Sequence, residues 1–274
     1  MRPSLFLILS IFFALPSIAQ FAKKPVFSGM YFQWGYNRDH FSRSTIHFWD
    51  EGDYDFTLHN VTASDKPDFE GFRTNPIDIT IPQNSVRLGV YLNKERTHAI
   101  ELNFDHAKYV MDHHQRVRMT GKLGGEEMDV DTTLVPYFVS FEHTNGANFT
   151  MLNYVGQKNL AYARKRLLAS CVWKLGGGVM IPRSDVRFNY KRVDNRYHIA
   201  GYMLATEAGL RFYVLKNLFL EATAKAGYAN FRNVLTVGDG RASHSFYFGE
   251  VIGLLGYDIN NAHWFRKKNK ATSK

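Results

Sequence analysis

Apolar and polar side chains alternate through much of the chain, most clearly between residues 200 and 228. In the first part of this stretch one face is apolar, with Thr206 as the exception, and the other face is small or charged. The apolar face carries Ala200, Tyr202, Leu204, Ala208, Leu210, Phe212 and Val214. A similar alternation follows from Leu218 to Tyr228. Because side chains on a β-strand repeat with a period of two, the pattern predicts two antiparallel strands joined by a hairpin at residues 215–217.

The same period predicts strands elsewhere in the chain. Clear candidates occupy residues 29–36, 86–92 and 97–105, and weaker ones occupy 44–50, 54–61, 134–154, 167–181 and 245–257. The total of about ten strands, within roughly eight to twelve, suits a single-chain bacterial barrel with both termini in the periplasm. Short connections near 51–53, 95 and 216 alternate with long ones near 63–84, 111–133, 182–197 and 232–244. This alternation is typical of short periplasmic turns and long extracellular loops.

The predicted fold is therefore all-β, a closed antiparallel transmembrane β-barrel. Aromatic residues near the predicted strand ends fit the girdles that lie at a membrane interface. They are Trp34, Tyr36, Tyr213, Tyr228 and Tyr257. In this pattern the chain resembles the small outer-membrane β-barrel proteins of Gram-negative bacteria, which implies an outer-membrane location and contact with lipids and lipopolysaccharide. A soluble antiparallel sandwich, which has the same alternation, is the alternative.

The N-terminus has the three parts of a secretory signal peptide. A basic start precedes an apolar run from Leu5 to Leu15, and small residues at Ser17 and Ala19 predict cleavage after Ala19. The mature domain is then 20–274, including a basic C-terminal tail. The net charge of +9 is scattered rather than arranged as a stripe, and export also argues against a nucleic-acid partner. With Cys171 as the single cysteine, no intramolecular disulfide can form, and the sequence predicts no cofactor.

The alternation also predicts which charged side chains point into the barrel. They are Asp55, Glu101, Asp105, Glu142, Lys174, Glu207, Arg211, Glu221, Lys225 and Glu250. Side chains nearly fill a lumen of this size, and buried charges of opposite sign are expected to pair. The sequence favours a salt-bridged plug, and a narrow polar path for small solutes is the alternative.

Two local clusters have residue types that are capable of chemistry. His143 and Thr144 follow Glu142, which brings together a base, a hydroxyl and a carboxylate. The segment resembles the lipid A deacylase family, whose signature is His, one spacer residue and Ser-Asn, although the spacer is missing here and threonine replaces serine. That resemblance implies His143 as base and Thr144 as nucleophile. Residues 105–114 carry three histidines and two aspartates, but their spacing fits no known metal signature, and no metal site is predicted.

The sequence thus predicts an outer-membrane barrel whose role is not enzymatic but structural, surface-binding or permeation. The partner on the extracellular or periplasmic side is left open. A membrane-embedded esterase acting on lipopolysaccharide or phospholipid acyl chains is the alternative function. It requires His143 to lie within hydrogen-bond reach of Thr144, Ser140 or Ser170 at the lipid boundary.

Overall fold

The computed structural model describes residues 27–67, 83–143, 145–164, 166–194 and 196–259. They form 17 strands, and every strand pairing is antiparallel. In chain order the strands are β1 (Met30–Phe41), β2 (Ser44–Asp50), β3 (Tyr54–Val61), β4 (Ala63–Ser64), β5 (Asn84–Tyr91), β6 (His98–Asp105), β7 (Tyr109–Met111), β8 (Arg116–Leu123), β9 (Glu126–Thr133), β10 (Val139–His143), β11 (Phe149–Ala163), β12 (Arg166–Met180), β13 (Asp185–Phe188), β14 (Lys191–Asp194), β15 (Gly201–Tyr213), β16 (Leu218–Leu235) and β17 (Arg241–Ile259). The predicted signal peptide and basic tail lie outside the described residues. Within the described ranges, no helix has the length and apolar composition needed to cross a membrane.

Eight strands pair side by side in a closed ring. The order is β1, β5, β6, β11, β12, β15, β16 and β17, and β17 returns to β1. Met30 of β1 lies opposite Val90 of β5 on one side and Ile259 of β17 on the other, so both edges of β1 are paired. The predicted closed antiparallel barrel is therefore confirmed. The strands β2 and β3, which the sequence analysis assigned to the barrel wall, lie outside this ring.

The outer surface of the ring is an apolar belt with the height of a membrane. On β15, Glu207 is buried in the lumen while Leu204 on the opposite face is 62% exposed. Aromatic rings mark both limits of the belt, and Tyr202 and Phe212 on β15 stand ten residues apart. At about 3.3 Å per residue and a tilt of about 40°, this spacing corresponds to about 25 Å, the apolar height of an outer-membrane barrel.

Tyr213 does not belong to that girdle, although its place near a strand end suggested it. Its side chain packs against the buried ring of Phe219, with the ring centroids 5.5 Å apart, among the aromatic side chains of the lumen. The period of two explains this position, because Tyr213 follows the outward-facing Phe212 and therefore points inward.

The two rims of the barrel differ in their connections. Short turns join β5 to β6, β11 to β12 and β15 to β16 at the rim where β1 begins and β17 ends. Long connections cross the opposite rim, and β2 to β4, β7 to β10 and β13 to β14 lie within them. The predicted long loop at 232–244 is mostly strand, since β16 runs to Leu235 and β17 starts at Arg241. The short turn at 51–53 joins β2 to β3 and does not lie on the rim that carries the other short turns.

The long connections fold into a two-sheet structure, which we call the outer unit. One sheet continues the barrel wall from the upper end of β17 through β2, β3 and β8 to β9. The other contains β14, β13, β10, β7 and β4 in that order. The sheets face each other through aromatic contacts: Phe48 lies 5.4 Å from Phe141 and Phe56 lies 5.3 Å from Phe188, measured between ring centroids.

The apolar core of the outer unit continues into the upper lumen of the barrel. Side chains from both regions form one buried cluster, and the members that the barrel strands contribute include Phe149, Met151, Met180, Met203, Ala205, Phe246 and Phe248. The lumen is therefore apolar near its outer mouth and charged further in.

Candidate functional site

Eight of the charged residues assigned to the lumen by the sequence analysis lie there, with side chains withdrawn from solvent. They are Glu101, Asp105, Lys174, Glu207, Arg211, Glu221, Lys225 and Glu250. Five barrel strands, β6, β12, β15, β16 and β17, contribute them. Arg87 of β5 joins the group and was missed, because its strand was recognised by its apolar face alone.

These charges form one continuous ion-pair network. The Lys174 Nζ lies at the centre, 3.1 Å from Glu101, 3.0 Å from Glu207 and 2.9 Å from Glu221. The Arg211 guanidinium binds Glu221 at 2.7 Å. Arg87 lies 2.5 Å from Asp105 and 3.6 Å from Glu101.

The Lys225 Nζ extends the network towards the outer mouth. It contacts the carboxylate of Asp105 and lies 2.7 Å from Glu250. Glu250 in turn accepts a hydrogen bond of 2.9 Å from the Asn37 amide. Each cation of the network therefore faces at least one carboxylate, which offsets the cost of removing these charges from water.

The network blocks the lumen. The side chains of Arg87, Glu101 and Lys174 are between 0% and 1% exposed, so they line no water-filled path through the middle of the barrel. Below them, the buried rings of Tyr31, Tyr91 and Phe219 pack around Arg211. The apolar core described above fills the other end of the lumen.

Two residues that the sequence analysis assigned to the lumen lie in the outer unit instead. The Asp55 side chain on β3 is 69% exposed and accepts a hydrogen bond of 2.7 Å from His47. Glu142 on β10 is half-buried and accepts a bond from the Ser140 hydroxyl. On these strands the apolar face is turned to the core of the outer unit, so the polar face points to water rather than to a lumen.

His143, the predicted catalytic base, is fully buried between aromatic rings. Its Nδ1 lies 2.8 Å from the Ser184 hydroxyl and its Nε2 lies 3.3 Å from Nε2 of His244. Phe231 stacks on it with a ring-centroid distance of 4.8 Å. Burial lowers the pKa of His143 to about 3, with a smaller contribution from His198, so the imidazole is neutral at physiological pH.

Two of the three hydroxyl groups proposed as partners of His143, those of Ser140 and Ser170, bind other side chains instead. Ser140 donates to Glu142, and Ser170 donates to Asn159 within the barrel. Thr144 lies outside the described residues. The observed partners, Ser184 and His244, are 41 and 101 residues away in the sequence, so the residues next to His143 could not predict them.

The histidine- and aspartate-rich stretch 105–114 does not form one cluster. Asp105 belongs to the lumen network, the ring of His106 contacts Asn148 at 2.9 Å, and Asp112 accepts a bond from Ser64. Across the described part of the chain, no three His, Cys, Asp or Glu side chains converge as a metal site.

The most distinctive exposed feature of the outer unit is a pair of tyrosines, which we call the aromatic tip. Tyr190 is 82% exposed and Tyr137 is 59% exposed. Their rings are stacked, with centroids 5.9 Å apart and planes 15° from parallel. Tyr190 lies at the turn between β13 and β14, where Arg187, Lys191 and Arg192 are also exposed.

No protein-family model and no curated protein sequence matches the chain. Among solved structures, it is similar to the outer membrane protein OprG from Pseudomonas aeruginosa, at 9% identity and a TM-score of 0.39, over 86% of this chain and 99% of that one. It is also similar to the outer membrane protease OmpT from Escherichia coli, at 9% identity and a TM-score of 0.37, over 86% and 97%. Neisserial surface protein A has 9% identity and a TM-score of 0.31, over 82% and 97%.

Proposed function

We propose that this protein is a non-conducting outer-membrane barrel that displays the outer unit at the cell surface for binding. The observation that carries the proposal is the filling of the lumen. Arg87, Glu101 and Lys174 close the middle of the barrel to water. A channel needs a continuous water-accessible bore, so the folded connections, rather than the barrel interior, are left to meet a partner.

The apolar belt supports the membrane part of the proposal. Its height of about 25 Å fits the outer membrane, and the short turns lie on the rim that faces the periplasm in such barrels. The outer unit then lies on the extracellular side. Export through cleavage of the segment 1–19 belongs to the same proposal.

The outer unit has the construction of a rigid binding module. Its two sheets share a continuous aromatic core that joins the core of the upper barrel. Binding residues are often carried by connecting segments that a rigid scaffold positions. The esterase alternative has less support, because the His143–Ser184 pair is sealed within this core and is not at the lipid boundary.

Orientation is tested by cysteine labelling in a Cys171→Ala background. Cys171 is the only cysteine, so this background carries no thiol. We expect Glu127→Cys, on β9, to react with a membrane-impermeant maleimide in intact cells. Lys216→Cys, at the opposite rim, is the matched control and should react only after the outer membrane is permeabilised. The reverse pattern would overturn the proposed display.

Conductance measurements test the closed lumen, and adhesion assays test the surface-binding role. The purified protein in a planar bilayer should show no stepwise conductance, and steady steps would contradict the closed lumen. Cells that produce the protein should adhere more than vector-only cells to at least one coated surface among dextran, dextran sulfate and gelatin. If producing cells adhere no more than vector-only cells to any of the three surfaces, the binding role is overturned.

A further inference from the structure

The turn that carries Tyr190 has an unfavourable backbone conformation. Phe188 pairs with Lys191, which leaves Asn189 and Tyr190 as a two-residue hairpin loop. Their φ angles are 45° and 65°, so both lie in the left-handed region. Asn-Gly is the preferred sequence for such a turn, because glycine tolerates positive φ and a bulky residue does not. A tyrosine in the glycine position is therefore held there by its surroundings.

Backbone hydrogen bonds and a buried aromatic side chain hold the turn in this conformation. The Asn189 amide donates to the carbonyl of Phe138 at 3.0 Å, and the Tyr190 amide donates to that of Tyr137 at 3.3 Å. Phe188 is buried beneath the turn and packs on Tyr54 with a ring-centroid distance of 4.8 Å. The two exposed rings are thus held in a fixed position before any ligand arrives, and such preorganisation lowers the entropic cost of binding.

The same hairpin places like charges side by side. Arg187 of β13 lies directly opposite Arg192 of β14. Arg192 is bound to Asp185 at 2.9 and 2.5 Å. Arg187 forms no salt bridge with the described side chains, although its charge also acts on the Asp185 carboxylate. Two arginines directly opposite each other are unfavourable in a sheet, and an anionic ligand relieves their repulsion.

We propose that the aromatic tip and the cations of this hairpin form a binding site for an anionic polysaccharide. The face of an aromatic ring is negative, and the C–H groups of a sugar ring carry partial positive charge, so sugars stack on exposed tyrosines. Arg187 and Lys191 supply the charge complementary to sulfate or carboxylate groups, whereas the charge of Arg192 is already offset by Asp185. This inference rests on the proposed surface-binding function and names its ligand class.

The test measures equilibrium binding of the purified full chain in detergent to immobilised dextran sulfate, with neutral dextran of the same length as the control ligand. We expect binding to dextran sulfate alone, weakening as salt is raised. Tyr190→Gly should reduce the affinity about tenfold or more while the protein stays as resistant to urea as the parent or becomes more so, since glycine suits the positive φ. Tyr190→Phe should retain most of the affinity.

Two further variants separate the contribution of charge from that of the aromatic tip. Arg187→Gln should weaken binding severalfold and reduce its salt dependence. Tyr197→Ala, at an exposed tyrosine outside the aromatic tip, should bind like the parent. Unchanged binding by Tyr190→Gly, or equal binding of neutral dextran by the parent, would overturn the inference.

The adhesion assay distinguishes this failure from failure of the proposed function. Cells that adhere to gelatin but not to dextran sulfate would refute the polysaccharide site and leave surface binding standing. Cells that adhere to none of the three surfaces would refute both.

Discussion

The barrel lumen and the outer unit exclude water in opposite ways. In the middle of the lumen, the buried side chains are charged, and each cation lies against carboxylates from other strands. In the outer unit, the buried side chains are mainly aromatic and aliphatic, and charges such as Asp55 stay at the surface. Both interiors are closed to water, although their chemistry differs.

The difference follows from what surrounds each region. Lipid covers the outside of the barrel, so its apolar side chains face outward and the polar ones are left to fill the lumen. Water surrounds the outer unit, so its apolar side chains face inward. The same alternation thus produces opposite interiors in one chain, and we expect the two interiors to respond differently to mutation and pH.

The largest expected effect comes from removing a charge at the centre of the lumen. Lys174→Met leaves three buried carboxylates, Glu101, Glu207 and Glu221, without their shared cation. Breaking a buried pair costs about 3–5 kcal/mol, so the free energy of unfolding in urea should fall by that order. Lys122→Met is the matched control, because the Lys122–Glu127 pair is exposed and is worth less than about 1 kcal/mol. Equal losses in the two variants would show that burial of the network contributes nothing.

A smaller and more local effect is expected in the outer unit. Leu58 is fully buried on β3, and Leu58→Ala should destabilise this region by about 3 kcal/mol through lost burial and the cavity left behind. Hydrogen exchange should accelerate in β2, β3 and β8 while the barrel strands keep their protection. Val130→Ala, at an exposed position on β9, should change exchange little. Loss of protection throughout the barrel would show that the two regions unfold as one.

The smallest effect concerns pH and the buried histidines. Burial lowers the pKa of His143 to about 3 and also holds that of His244 well below its usual value. Below the unfolded-state pKa of about 6.5, the unfolded chain takes up protons that the core excludes, so stability falls as the pH falls. Between pH 7 and pH 5 the loss that comes from His143 should be about 2 kcal/mol, and His244 acts in the same direction.

Proteolysis of the outer unit, measured across this pH range, checks the prediction. The double variant His143→Gln/His244→Gln keeps hydrogen-bonding groups but cannot titrate, so its susceptibility should change less with pH. A parent protein that is equally resistant at pH 7 and pH 5 would contradict the assigned burial of these imidazoles.

Much of the fold was accessible from the sequence because strand alternation is a local property. The predicted bounds of β2 and β3 agree with the structure, and the inward and outward faces of β15 were assigned correctly.

The errors arose where alternation does not show which face is inside. Asp55 and Glu142 lie on polar faces, and in a barrel strand such a face lines the lumen, but on β3 and β10 it meets water. The local sequence does not distinguish a polar face that lines a lumen from one that meets water, because what covers that face depends on which distant strands pair. The contacts of His143 with Ser184 and His244, and the stacking of Tyr137 on Tyr190, are long-range for the same reason.

The final strand, β17, makes the assembly of the two regions interdependent. Its lower part pairs with β1 to close the ring, its upper part pairs with β2, and residues 241–257 run beside β16. Until this strand arrives, the lumen charges lack Glu250 and the outer sheet lacks the strand that connects it to the barrel. Both the closure of the ring and the connection of the outer sheet to the barrel therefore wait for the pairing of the last strand in the chain.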